Sequence, residues 1–374
     1  MATAQIYLDH NASTPIDASV QAAMAPYLAA AFGNPSSGHW AGVPAREAIE
    51  AARAQVAALL GCAPDEIVFT SGGTEANNAA LTGIFFAAAG RSRHIVTTLI
   101  EHPAIIEPCR FLERLGAIVT YVGVDATGMV DPEDIRKALR PDTILVSVMH
   151  ANNEVGTIQP IAQIAAVTRE AGVPLHSDAA QSVGKLGTDV DALGVDLLSI
   201  AGHKFYGPKG VGALYVRRGV SLEPFMHGAS HESGRRAGTE NVILDVGLGA
   251  AAELARDRAW TSGARDLRDR FWAALQDRFG DGVRLNGHPT ERLCNTLSVD
   301  FVGRVGSEIL AALPGVAAST GSACHADRVT LSAVLEAMQV PPEVGMGAVR
   351  FSLGHSTTWA ELDAVVEDLA TAVT

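Results

Sequence analysis

Between about residues 65 and 217, short apolar runs alternate with amphipathic stretches, a spacing that predicts strand followed by helix several times over. Residues 66–70 read as a strand, with a helix from Thr74; 94–98 form a second, with a helix over about 103–115. A third strand covers 117–122, and the next helix opens at Asp131-Pro132-Glu133-Asp134. A fourth covers 143–148 with a helix over about 161–171, a fifth 174–178 and a sixth 196–200. These strands are apolar nearly throughout rather than at alternate positions, the pattern of a mostly parallel sheet covered on both faces. Past about residue 250 the texture changes. One long helix is predicted over 242–279, then a strand at 295–299 and helices near 305–312 and 329–338. The chain therefore reads as a large α/β domain over 13–255 and a smaller α+β domain built from 1–12 and 256–374.

Composition narrows the function. With 374 residues and 48% hydrophobic positions, the chain can bury two sizeable cores, which excludes wholesale disorder. Forty-one acidic against 28 basic side chains give a net charge of -13, so neither nucleic acid nor an anionic membrane is an expected partner. The N-terminus lacks a basic and then apolar leader, and the apolar runs are too short for a membrane span. Cys62, Cys109, Cys294 and Cys324 form no CxxC pair, as expected of reduced thiols in a cytoplasmic protein. His227 and His231 stand four apart without an HExxH or cysteine pair, so no metal site is expected.

Ligands of an open parallel sheet bind beyond the carboxyl ends of its strands, and the polar clusters fall there. Thr70-Ser71-Gly72-Gly73-Thr74-Glu75 joins a strand to a helix; its glycines and the helix N–H groups suit a phosphate, though an ordinary turn capped by Thr74 has the same letters. Glu101-His102 and His150 follow the next strands, where a histidine serves packing as readily as chemistry. Asp178, in His176-Ser177-Asp178-Ala179-Ala180-Gln181, ends a buried strand and calls for a cationic partner or an ion pair. The chain has only four lysines. Lys137 lies in a polar helix, and Lys185 and Lys209 sit beside glycines in what read as open turns. Lys204 directly follows an apolar strand and precedes two aromatic residues, where lost hydration favours a neutral, nucleophilic amine. A phosphate cradle, a carboxylate and a desolvated lysine on one sheet edge suggest pyridoxal 5'-phosphate.

The segments LDHNASTP, SGGTEANN, IEH, HANNEVG, SDAAQS, GHKFYGPKGVGALY, RRAGTENV and GSACH, in that order from about residue 6 onward, resemble the cysteine desulfurases of the class V aminotransferases. The resemblance implies the aspartate-aminotransferase-like fold (fold type I), a homodimer and an unidentified sulfur-acceptor protein. Lys204 would carry the coenzyme and shuttle the proton at the substrate Cα, with His102 stacked on the ring. Asp178 would pair with the ring nitrogen and Gln181 with its phenolic oxygen. Gly73, Thr74 and His203 would hold the phosphate, joined by Thr239 of a second subunit. Asn34, Asn153 and Arg350 would bind the substrate, the planar arginine fork gripping its carboxylate. Cys324, on a loop of small residues beside His325, would take sulfur from L-cysteine as a persulfide and leave L-alanine. Two departures from the family pattern stand out: Ala201 replaces a serine, removing one hydroxyl contact, and Gly228–Glu232 is bulkier than the usual glycine-rich run. The ACHAD segment and the tail from Arg350 to Asp363 resemble selenocysteine lyases, which makes a selenocysteine lyase, or a related C–S/C–Se lyase releasing selenide or sulfide and L-alanine, the alternative. A silent sulfur carrier on the same fold is a third reading, opposed by the intact Lys204, Asp178 and His102.

Overall fold

The computed structural model describes residues 5–88, 93–320, 323–325 and 328–373, with the backbone alone at 323–325 and 328–329. A seven-stranded sheet runs in the spatial order Ile67–Thr70, Gly212–Val216, Leu197–Ala201, Leu175–Asp178, Thr143–Ser147, His94–Thr98, Ile118–Val122. Gly212–Val216 is antiparallel to both neighbours, and the remaining pairs are parallel. Successive residues feed opposite cores. Ile67 and Phe69, Val96, Val146, Leu198 and Ile200 enter one, with Val56 and Leu60 of helix Gly42–Leu60. Val68, Ile95, Leu145 and Leu197 enter the other, with Leu81 and Phe85 of helix Gly73–Ala87. Burial on both faces is why the sequence shows no polar alternation there.

A second, antiparallel sheet holds Ser319–Thr320, Ala348–Ser352, Thr296–Phe301 and Val283–Asn286 in that order. Helices Trp260–Phe279 and Trp359–Ala372 pack on it through Phe271, Leu275, Leu362, Val365 and Leu369. Ile6–Tyr7 pairs in parallel with Val316–Ala317, which brings the N-terminal segment alongside the C-terminal quarter of the chain.

Three sequence expectations are corrected. The long helix is two, Val242–Arg256 and Trp260–Phe279. Asp257 adopts an extended conformation and its carboxylate accepts the Ala259 N–H at 2.9 Å, turning the chain between helices that bury in different cores. Residues 329–338 are not one helix: Arg328–Thr330 is extended, and helix Ala333–Ala337 begins after Ser332, whose hydroxyl accepts the Leu335 N–H at 3.1 Å. The segment around Cys324, expected as a loop, contains a short hairpin in which Ala323–His325 pairs with Arg328–Thr330.

Candidate active site

Beyond the carboxyl ends of the parallel strands lies a cavity of about 360 Å³. Nine of the residues singled out from sequence line it: Gly73, Thr74, His102, Asn153, Asp178, Gln181, His203, Lys204 and Arg350. They come from six separate stretches of chain, five at or just beyond the carboxyl end of a main-sheet strand and, for Arg350, a strand of the second sheet.

Lys204 ends the short turn Gly202–Lys204 that follows strand Leu197–Ala201. Its Nζ donates to the carbonyls of Asn11 at 2.7 Å and Ala12 at 3.1 Å. Burial, helped by the charge of Arg350 and opposed by Asp178 and Asp9, pulls its pKa from 10.5 down to about 8. The amine therefore has an accessible neutral form near physiological pH, as a carbonyl-binding lysine needs.

Asp178 is buried and held from two sides: Asn77 Nδ2 donates to Oδ2 at 2.6 Å and the Ala180 N–H to Oδ1 at 2.9 Å. Gln181 Nε2 donates to the Asn11 carbonyl at 2.8 Å. His102 caps helix Pro103–Arg114, its Nδ1 accepting the Ala104 N–H at 3.0 Å. That bond puts the proton of the neutral ring on Nε2. Although His102 is exposed to the cavity, desolvation by the surrounding wall, reinforced by Lys204 and opposed by Asp178, lowers its pKa. The neighbouring Glu101 is fully buried, accepts from Thr98 Oγ1 and the Met149 N–H at 2.8 Å each, and is pushed by burial up to about 8. Its carboxyl ties two strand ends together.

At one end of the cavity, Gly73 and Thr74 occupy the first two positions of helix Gly73–Ala87, where backbone N–H groups have no intrahelical acceptor. The preceding Ser71 N–H is already taken by Glu75 Oε2 at 2.8 Å, and Glu75 is itself gripped by Arg236 Nε at 2.9 Å. His203 faces the same end; burial and the charges of Lys204 and Lys209 bring its pKa to about 4. Ala201 also lines the wall and contributes no hydroxyl there. At the other end, Arg350 Nη1 donates to the Asn153 carbonyl at 2.9 Å and Nη2 meets Asp9 Oδ1 at 2.6 Å. Its buried Nε has no partner among the described residues, leaving a donor free. An anion-binding helix end, a rigid carboxylate, a depressed lysine and a half-used guanidinium fit pyridoxal phosphate together with an amino-acid carboxylate.

Asn34 and Thr239 do not line this cavity. Asn34 is exposed in the segment after helix Ala18–Ala29, its Oδ1 accepting the Ser36 N–H at 2.9 Å. Thr239 is exposed beside Glu240 and does not line the cavity. The side chains of Cys324 and His325 lie outside the described residues. Lys185 corrects its sequence reading: it is buried rather than in an open turn, and burial draws its pKa down to about 7.

Two contributors escape the sequence reading although they stand inside the quoted motifs. Asn77, of SGGTEANN, sets the Asp178 carboxylate. Asn11, of LDHNASTP, is a hub: its carbonyl receives both Lys204 and Gln181, and its side-chain amide donates to Thr296 Oγ1 at 2.8 Å and the Asn153 carbonyl at 3.2 Å. Their place in polar motifs is the available signal; their partners, more than 100 residues away, are not in it.

A site of this construction on an α/β sheet defines a pyridoxal-phosphate enzyme of fold type I, and the chain belongs to the aminotransferase class-V family, matching it over residues 6–365. Within that family it stands with the cysteine desulfurases. It is 48% identical over 370 residues to cysteine desulfurase IscS of Dictyoglomus turgidum, covering 98% of this chain and 93% of that protein. Cysteine desulfurase IscS of Methanosarcina thermophila is 46% identical over 97% of this chain and 90% of its own. Among solved structures, a NifS-like protein superposes with a TM-score of 0.93 at 37% identity, covering 98% of both chains. SspA in complex with cysteine superposes at 0.85, also 37% identical, over 94% of this chain and all of that one.

Proposed function

We infer that this chain is a pyridoxal-phosphate-dependent cysteine desulfurase that converts L-cysteine to L-alanine and keeps the sulfur as a persulfide on Cys324. The observation that carries the reading is the convergence, in one cavity, of the pKa-depressed Lys204 with Asp178, His102, Gln181 and Arg350. Bound there, the coenzyme supplies an electron sink for the substrate Cα. Lys204 attaches it and moves the proton at that Cα. Asp178, oriented by Asn77 and the Ala180 N–H, holds a positive ring nitrogen. His102 covers the ring, Gly73, Thr74 and His203 take the phosphate, and Gln181 donates to the phenolic oxygen. Arg350 and Asn153 bind the substrate carboxylate, with Asn34 as a further substrate-binding residue. The Cys324 thiolate forms an S–S bond to the substrate sulfur as the C–S bond breaks, so L-cysteine and the enzyme thiol give L-alanine and the enzyme persulfide.

The reading extends to a homodimer in which Thr239 serves the cradle of the second copy, to a cytoplasmic setting, and to a sulfur-acceptor protein that empties Cys324. The division into a large unit, 13–255, and a small one, 1–12 with 256–374, belongs to the same proposal. No helix among the described residues is long and apolar enough to cross a membrane.

Intact-mass measurement after incubation with L-cysteine tests the reaction. One added sulfur should appear on the peptide containing Cys324. Cys324→Ala should lose that mass and the desulfuration of cysteine while retaining the yellow coenzyme; full cysteine activity in the variant would end the persulfide reading. L-selenocysteine in place of L-cysteine, followed by alanine release, tests the selenium alternative, which a strong preference for selenocysteine would restore. The amine also sets a pH dependence. Only neutral Lys204 attacks an aldehyde, so the rate at which apoprotein attaches the coenzyme should rise roughly tenfold per pH unit below about 8 and level off above it. Stopped-flow absorbance over pH 6–10 (about the range that brackets the shift) checks this; a plateau only near the ordinary lysine value would remove the desolvated amine from the mechanism.

A further inference from the structure

Lys185 takes no part in the chemistry proposed above, yet it is buried beside the site. Its Nζ donates to two oxygens of one residue: the Gln181 carbonyl at 3.0 Å and the Gln181 side-chain Oε1 at 3.3 Å. The charges that act on it are unfavourable, Lys204 and Arg350, with the Cys294 thiol as the opposing influence and His10 close by. No ion pair to Lys185 occurs among the described residues. A lysine buried among positive charges is costly to keep, which asks for a reason.

Gln181 supplies it. A glutamine amide presents an acceptor and a donor end that are nearly isosteric, so its orientation depends on what it meets. Here one end meets the Lys185 amine, which donates to it, and the other meets the Asn11 carbonyl, which only accepts. Together the two neighbours favour one orientation of the amide. Oε1 turns to Lys185, Nε2 turns to Asn11, and the second Nε2 hydrogen is left for the cavity that Gln181 lines beside Lys204 and Asp178.

We propose that Lys185 is a positioning residue that locks the Gln181 amide with its N–H toward the coenzyme's phenolic oxygen. The inference rests on the proposed coenzyme site and deepens it. An N–H aimed at that oxygen favours its ionised form, so it lowers the pH at which the enzyme-bound coenzyme loses its shared proton. Lys185→Met keeps the length of the side chain and removes the donor, so the Asn11 carbonyl alone anchors the amide and its second N–H is no longer held on the coenzyme's oxygen.

The test is a pH titration of the yellow absorbance band of the holoenzyme, which reads the coenzyme's proton rather than turnover. In the parent protein the band must be present and borohydride must fix the coenzyme on Lys204; without them the site itself is wrong, and this inference falls with it. With them, Lys185→Met should raise the midpoint by about one pH unit, the size of one hydrogen bond to a charged acceptor. Gln181→Glu, which keeps Lys185 and its acceptors but has no N–H to offer, should raise it at least as far, and it keeps the question answerable if Lys185→Met fails to fold. In a Gln181→Ala background, Lys185→Met should add nothing, because its route is gone. A parent-like midpoint in Lys185→Met, or in Gln181→Glu, overturns the proposal. So does an equal shift from Lys185→Met with and without Gln181, which would make the lysine act through its charge alone.

Discussion

Replacing Lys204 by alanine should lower cysteine turnover by at least about 10,000-fold, because the variant loses both the covalent anchor and the group that moves the Cα proton. It should not lower the stability of the apoprotein. Charged Lys204 sits in a site that draws its pKa from 10.5 to about 8, so the fold carries a penalty of about 3 kcal/mol wherever the amine is protonated. The sign follows from the proton balance. Below the depressed value both folded and unfolded chains hold the proton and the full penalty applies; between about 8 and 10.5 the unfolded chain holds more, and stability recovers as pH rises. Alanine removes the penalty at neutral pH. Against that, the Ala12 carbonyl loses its lysine donor, whereas the Asn11 carbonyl keeps Gln181. Ala12 is exposed and water can take the lysine's place, so that loss costs only about 0.5–1.5 kcal/mol and offsets part of the gain. The apo variant should melt within a few degrees of the parent at pH 7, and borohydride should leave no coenzyme on the protein. Retained turnover would unseat Lys204; a collapse of the apoprotein would show that the lysine holds the fold and carries no such penalty.

The parallel strands are visible in the sequence because residues such as Ile67, Val68 and Phe69 are buried in turn by opposite cores, and a strand without polar positions must be covered on both sides. That Gly212–Val216 runs against its neighbours is not visible, since direction leaves no trace in an apolar run. The site's lysine, carboxylate and phosphate loop are legible because each chemistry restricts the residue type and each follows a strand. What stays hidden depends on chain brought from afar. Lys185 looks exposed beside Gly184, but its burial depends on a site assembled partly from the N-terminal segment around Asn11. Arg350 reads as a carboxylate binder; that Asp9 holds one arm of it, and Ser319 Oγ holds Asp9 at 2.9 Å, emerges only once three distant segments meet. The bulky Gly228–Glu232 segment looks like a departure from the family pattern, and the structure gives it a mechanical use.

Glu232→Ala should destabilise the protein by about 3–5 kcal/mol, the cost of removing one partner from a buried ion pair. Strand Ile67–Thr70 lies at one edge of the main sheet, where backbone groups on its outer side need partners. Glu232 accepts the Phe69 N–H at 2.9 Å, and Arg53 Nη1 donates to the Ile67 carbonyl at 3.0 Å. The two side chains close on each other through bonds of 2.7 and 2.8 Å, so one bidentate pair seals the edge. Glu232 reaches this position in a left-handed conformation, φ 48 and ψ 41, that a residue with a Cβ rarely adopts. The strain is held by the carboxylate's three bonds. In Glu232→Ala the strain remains, the Phe69 N–H is orphaned and the Arg53 guanidinium keeps only the exposed Glu50 carboxylate, at 3.3 Å, as a charged partner. Removing the arginine as well, in Arg53→Leu with Glu232→Leu, takes the poorly compensated charge away. The double variant should then be more stable than Glu232→Ala alone, with about 1–3 kcal/mol of loss remaining for the unpaired edge groups. Urea midpoints order the three proteins, and amide exchange at Phe69 reports the edge directly. If the double variant is the least stable of the three, the pair stabilises the fold by its own attraction, and sealing the edge is not its main contribution.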